Sequence, residues 1–284
     1  MMVMTSGDLT RPCIAGLAAA ASLFGAAEAQ LGGLAVAPTR VVFEGRERSE
    51  SVTLINQSDK EQTYRVFFEQ RRMNAEGVLE DAAQPAPGEL HADALIRYSP
   101  RQVTIAPGST QTIRLLARPP GDLSSGEYRS HLVFQTVPQD IGVSIEAPTN
   151  EKEISVNLVP IYGVSIPVIL RRGELSVRSQ LVSARVEKNL NGQAAYDAVV
   201  EVAREGDRSA YLDFAVSAEL GGDAREIGRT VGIAIYVPNA SRTVRIPLDI
   251  ENLSELSGAK LTVTAFDKEN DDAVIGASEI ALAN

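Results

Sequence analysis

The chain has 284 residues, enough for one large domain or two of ordinary size. Its formal net charge of -10, from 27 Lys+Arg against 37 Asp+Glu, argues against a dedicated nucleic-acid binder, whose phosphate contacts need a surplus of cations. Two histidines (His91 and His131) and a single cysteine (Cys13) exclude a Cys/His zinc site and a disulfide framework, and nothing in the composition calls for a cofactor or metal.

The N-terminus carries an apolar run over residues 13–27 (CIAGLAAAASLFGAA), with Arg11 before it and Ala27-Glu28-Ala29 at its end. This is the pattern of a secretory signal peptide over residues 1–29, and it predicts export. A buried N-terminal helix is the structural alternative. Cleavage after Ala29 would discard Cys13 and leave an acidic chain. No later segment reaches the roughly 18 apolar residues of a membrane span, so none is expected.

From residue 30 onward the periodicity is that of strands. Runs at 34–36, 40–43, 51–55 and 63–68 are rich in β-branched and aromatic residues and are separated by turn-forming clusters. Residues 74–94, rich in Ala, Pro, Gly and acids, read as a long loop. Strand pattern resumes at 96–100, 101–105, 110–117 and 126–137, and a polar loop follows over 139–153. Residues 154–170 then hold a period-two apolar pattern about three times the usual strand length. Pro160 and Pro167 within it remove ladder donors, which suits an edge or interrupted strand. Arg171-Arg172-Gly173 marks a boundary, after which 174–284 repeats the short-strand pattern. The fold class expected is all-β, with two immunoglobulin-like β-sandwich domains in tandem at 30–172 and 173–284.

The first domain also carries a more specific series. Pro38-Thr39-Arg40-Val41-Val42-Phe43 opens it. Ser99-Pro100-Arg101-Gln102-Val103-Thr104-Ile105-Ala106-Pro107-Gly108 leads into Gln111-Thr112-Ile113-Arg114-Leu115, and Gly126-Glu127-Tyr128-Arg129 precedes the long strand ending at Arg171. In order and spacing this resembles the periplasmic pilus-assembly chaperones of the PapD type over most of residues 34–172. The resemblance implies a periplasmic chaperone whose partners are pilus or fimbrial subunits and an outer-membrane usher.

A subunit of that kind is a sandwich lacking one strand, and the chaperone lends it an extended one. Ile154, Val156 and Leu158 are the expected groove-filling side chains, with Pro160 and Tyr162 next on the same parity; the alternative is that all five fill this protein's own core. Arg40 matches the family residue that binds the subunit's terminal carboxylate, and a guanidinium suits that geometry. The family's second cation, a lysine on the long strand, would fall near Pro167 and is absent, which points to a divergent subfamily or to a different second cation such as Arg72 or Arg171. Glu127, Arg171 and Asp267 match an ion network that fixes the angle between domains.

Two other functions remain open to test. One is an exported structural or adhesion-type sandwich, whose residues 154–170 would pair fully within their own sheet. The other, an enzyme, has little to build on: His131 sits in an alternating strand, His91 has no nucleophile beside it, and Asp271-Asp272 are turn residues by spacing. An exposed alternating strand would also allow self-association.

Overall fold

A computed structural model describes residues 29–31, 33–82, 84–138, 161–190, 192 and 194–280. The first part of the chain forms β1 (Ala29–Leu31), β2 (Leu34–Ala37), β3 (Val41–Phe43), β4 (Ser49–Asn56), β5 (Gln62–Glu69) and β6 (Arg71–Met73). It continues through β7 (Leu79–Asp81), β8 (Ile96–Ser99), β9 (Gln102–Ile105), β10 (Thr110–Ala117), β11 (Gly126–Thr136) and β12 (Gly163–Arg172). One sheet has the order β1-β2-β4-β10-β8 and the facing sheet the order β3-β12-β11-β5-β9.

Two strands are divided between these sheets. β2 pairs with β4 in the first sheet, whereas β3 runs parallel to β12 in the second. β8 pairs with β10 and β9 with β5 in the same manner. Each crossing falls at a proline, Pro38 and Pro100, where the ladder loses a backbone donor and the strand can leave its partner at little cost. Between the sheets lies a core that includes Val52, Leu54, Tyr64, Ile113, Leu115, Leu132, Phe134 and Ile166.

The second sandwich is built from β13 (Val177–Lys188), β14 (Tyr196–Gly206), β15 (Ala210–Leu220), β16 (Asp223–Ile235), β17 (Ser241–Leu248), β18 (Lys260–Asp267) and β19 (Ala273–Glu279). Its sheets have the orders β13-β14-β17 and β16-β15-β18-β19, around a separate core containing Val200, Phe214, Val216, Ile246 and Val263. The chain is thus all-β, with two sandwich cores. Gly173, with φ +82, lies just after β12, and a Cβ there would run into Ser125 Oγ. Only glycine adopts that backbone without strain.

Within residues 74–94, read as loop, the structure adds one short strand, β7 at 79–81, paired with β6 just before the range. The hairpin they form is closed by Asn74, whose Oδ1 accepts the amides of Glu76 (3.1 Å) and Val78 (2.9 Å). The hairpin lies on the second sandwich: Asn239 Nδ2 donates to the Met73 carbonyl and Thr243 N to the Ala75 carbonyl, both at 2.8 Å. Short, polar strands of this kind carry no periodicity, and they are held by a surface distant in sequence.

Candidate functional site at the domain junction

β11 is buried along both faces from Gly126 to Phe134. Its even-numbered Tyr128, Leu132 and Phe134 enter the first core, as the pleat requires. Glu127, Arg129 and His131 point the other way, a pattern that in sequence resembles a solvent face. Here that face meets the second domain. Met73 and Ile169 from the first domain join Tyr211, Ala234 and Tyr236 from the second in an apolar cluster, and the polar residues of β11 surround it.

Glu127 and Arg171, predicted as partners, do meet: Arg171 Nε donates to Glu127 Oε2 at 3.1 Å. Their side chains are 3% and 1% exposed, so this is a desolvated pair that must be satisfied by further bonds. Glu127 also accepts the amide of Ser209 (3.1 Å) and the Ser209 hydroxyl. Arg171 makes two bonds from Nη2 to Glu269, at 2.9 and 3.1 Å, and one from Nη1 to Glu44 at 3.2 Å. Burial by itself would lower the Arg171 pKa, but the nearby Glu269 and Glu127 carboxylates outweigh it and hold the guanidinium firmly charged.

The third predicted member of this network is corrected. The acid that the second domain contributes is Glu269, two residues beyond Asp267. Asp267 accepts the amide of Glu269 at 3.0 Å and so caps the turn that presents it. In the sequence both lie in the same charged turn, and only the docking of the domains distinguishes them.

Arg40, between β2 and β3, reaches the same junction. Its guanidinium stacks on the Tyr211 ring, 3.6 Å from the centroid, and its Nη1 lies 3.5 Å from Glu269 Oε1. The side chain retains 29% of its exposure, so it is fixed by an aromatic face yet open to an anion. Neither sequence candidate for a second cation serves beside it. Arg72 is bound to Glu89 by two hydrogen bonds of 2.7 and 2.8 Å, and Arg171 is enclosed by carboxylates. Arg208 reaches the same acid as Arg40, its Nη2 lying 3.6 Å from Glu269 Oε2. Pro167 pairs in register with His131.

Sequence reasoning missed Arg129, Ser209, Tyr211 and Tyr236. Arg129 lies over Tyr236 at 4.0 Å and donates to the Arg71 carbonyl at 3.2 Å; burial pushes its pKa down. Burial also raises the pKa of both tyrosines. His131 packs edge-on against Tyr236, and neither ring nitrogen has a hydrogen-bond partner among the described residues. Burial, reinforced by Arg129 and Arg71, lowers its pKa to about 3 and keeps it neutral. The alternation of charged residues on β11 was the one available signal, and it is ambiguous until a second domain covers it.

β12 supplies the other feature of interest. Val164, Ile166, Val168 and Leu170 enter the first core. On one side β12 pairs with β11 along its whole length; on the other, β3 pairs only with Val168–Leu170. Thr136 N donates to the Tyr162 carbonyl at 2.9 Å, which sets the alternation of the ladder. By that alternation Gly163, Ser165 and Pro167 direct their backbone groups away from β11. Upstream of Val168 that side of β12 has no strand hydrogen-bonded to it among the described residues. Tyr162 is exposed at the end of the hairpin, on the parity of the core residues, with Ile161 exposed beside it. Ile154, Val156, Leu158 and Pro160 lie outside the described residues, as do residues 1–28 of the signal peptide expected over 1–29.

No protein-family model matches the sequence, and no curated protein matches it. Among solved structures the chain is similar to the YadV chaperone at 14% identity and a TM-score of 0.44, covering 87% of this chain and 99% of that one. It is similar to the E. coli chaperone DraB at 15% identity and a TM-score of 0.43, covering 88% and 96%. A third similar structure, at 13% identity and a TM-score of 0.42, covering 88% and 99%, is the CsuC-CsuE chaperone-tip adhesion subunit pre-assembly complex of Acinetobacter baumannii Csu pili.

Proposed function

We propose that the protein is a periplasmic chaperone for pilus or fimbrial subunits, which it stabilises by lending the edge of β12 to an incomplete sandwich. The observation that carries this reading is the half-paired state of β12. Its core-facing row of Val164, Ile166, Val168 and Leu170 continues in sequence as Tyr162, Pro160, Leu158, Val156 and Ile154, past the point where the protein's own hairpin pairing is described. A strand whose edge is unpaired upstream of Val168 among the described residues, continued in sequence by an apolar row, can complete a sheet that lacks a strand. Arg40, held flat on Tyr211 at the rim of the junction, would take the subunit's terminal carboxylate. A usher in the outer membrane would then receive the complex. No reacting group or cofactor is needed for this activity, which is one of binding and folding.

The test is co-expression with candidate subunits exported by the same cell, followed by pull-down. Ile154→Asp with Leu158→Asp should abolish capture, because each aspartate would have to be desolvated in the subunit's groove. Arg40→Ala should weaken capture about tenfold or more, the value of a charge-assisted bond pair. Undiminished capture by the double aspartate variant would reject strand donation and favour an exported structural or adhesion-type sandwich.

A further inference from the structure

The carboxylate anchor at Arg40 is already in contact with a carboxylate of the protein itself. Glu269 Oε1 lies 3.5 Å from Arg40 Nη1, and its Oε2 lies 3.6 Å from Arg208 Nη2. Arg171 holds the same group from behind with two hydrogen bonds. The Tyr211 ring covers one face of the Arg40 guanidinium, so anions must approach along its edges, where the donors lie. One edge contact is the Glu269 oxygen.

Three acids of the junction are already engaged by its arginines. Arg40, Arg171 and Arg208 face Glu44, Glu127 and Glu269. A further carboxylate reaching Arg40 meets a guanidinium whose charge Glu269 already partly offsets. Glu127 is locked by Arg171 and Ser209, and Glu44 contacts Arg171 alone among these cations. Glu269 is the acid that touches Arg40. It projects from the turn between β18 and β19, and Arg171 can retain it if its contact with Arg40 is broken.

We propose that Glu269 is an internal competitor for Arg40, occupying the anchor in the free protein and setting how strongly an incoming terminal carboxylate is held. This rests on the reading of Arg40 as a carboxylate anchor. Its consequence is selectivity: a ligand that offers only a carboxylate gains little by displacing Glu269, whereas one that also pairs along β12 binds through the ladder and then exchanges the ion contact.

The experiment uses a synthetic peptide of alternating apolar and polar residues, made once with a free C-terminal carboxylate and once as the amide. Affinities of both are measured by calorimetry for the full protein and its variants, with far-UV circular dichroism and small-angle scattering as fold controls. Glu269→Gln should raise the preference for the acid over the amide by about threefold to tenfold. If Arg40→Ala removes the preference but Glu269→Gln does not increase it, the competitor role is wrong and the anchor stands. If wild type and Glu269→Gln show no acid preference, or bind neither peptide, the anchor reading fails and this inference with it. Should Glu269→Gln misfold, Glu269→Asp keeps the charge for Arg171 with one methylene fewer toward Arg40. An unchanged preference in that variant overturns the proposal equally.

Discussion

Replacing Arg171 with methionine removes the cation on which the junction converges. The side chain is 3% exposed and bonds to Glu127, Glu269 and Glu44 at 2.9 to 3.2 Å. Glu44, itself 55% exposed, contributes little, as surface ion pairs do. Glu127 is the costly remnant. Its side chain is 1% exposed, and without Arg171 its remaining hydrogen bonds among the described residues come from the amide and hydroxyl of Ser209, with the buried Arg129 and Arg204 acting on its charge from farther away. Breaking a buried pair by removing one partner costs about 3–5 kcal/mol, and the two remaining Ser209 bonds place the expectation at the lower end of that range. That is a large fraction of the roughly 5–15 kcal/mol that stabilises a typical protein. Urea unfolding followed by far-UV circular dichroism measures the loss, and small-angle scattering reports whether the domains splay. Glu44→Ala is the control and should lie within about 0.5 kcal/mol of wild type. A loss below about 1 kcal/mol for Arg171→Met, with an unchanged scattering profile, would refute the argument. It would assign the junction to the apolar contacts of Met73, Ile169, Tyr211 and Tyr236 instead.

Three further expectations follow from the geometry. His131 is held neutral by a pKa of about 3, against 6.5 for the free side chain, so the unfolded chain binds more protons between those values and wild-type stability falls as pH drops through that window. His131→Leu should flatten this fall, and urea midpoints for the two proteins at pH 8 and pH 5 that shift in parallel would contradict it. Glu89 is lowered to about 2, first by its hydrogen bond from Arg72, so its contribution is present above the ordinary carboxylate value and lost as pH falls toward 2. Arg72→Gln should therefore be less stable than wild type at neutral pH, with the two melting curves converging in acid; a constant gap down to pH 2 would count against the pair. Ser165→Pro removes a backbone donor on the side of β12 away from β11, where Pro167 already sits. It should leave the melting temperature within a few degrees of wild type yet reduce subunit capture, and full capture would show that this edge is not the binding surface.

Much of this architecture is legible from local pattern. Alternation in residues 110–117 and 126–137 announces strands, because a half-buried strand must place apolar groups on one side of its pleat. Pro100-Arg101 and Pro107-Gly108 announce breaks, because proline lacks a donor and glycine tolerates a turn. The β6–β7 hairpin escapes this reading, since Arg71-Arg72-Met73 and Leu79-Glu80-Asp81 have no periodicity and are held by Asn239 and Thr243 more than 160 residues away.

The candidate site divides along the same line. Arg40, Glu127 and Arg171 could be singled out only because the motifs around them resemble those of the pilus-assembly chaperones; local pattern alone gives none of them a role. Glu269, Arg208 and Tyr211 could not, because their significance comes from which surface of the second domain meets the first. By itself the sequence determines the strands, the division into two sandwiches and an alternating row leading into β12; these follow from backbone geometry and side-chain polarity a few residues apart. Only the tertiary structure decides that the polar face of β11 is buried, that Glu269 rather than Asp267 closes the ion network, and that Arg40 already touches a carboxylate. Those outcomes depend on charges brought within 4 Å across a domain boundary, and no local periodicity encodes that distance.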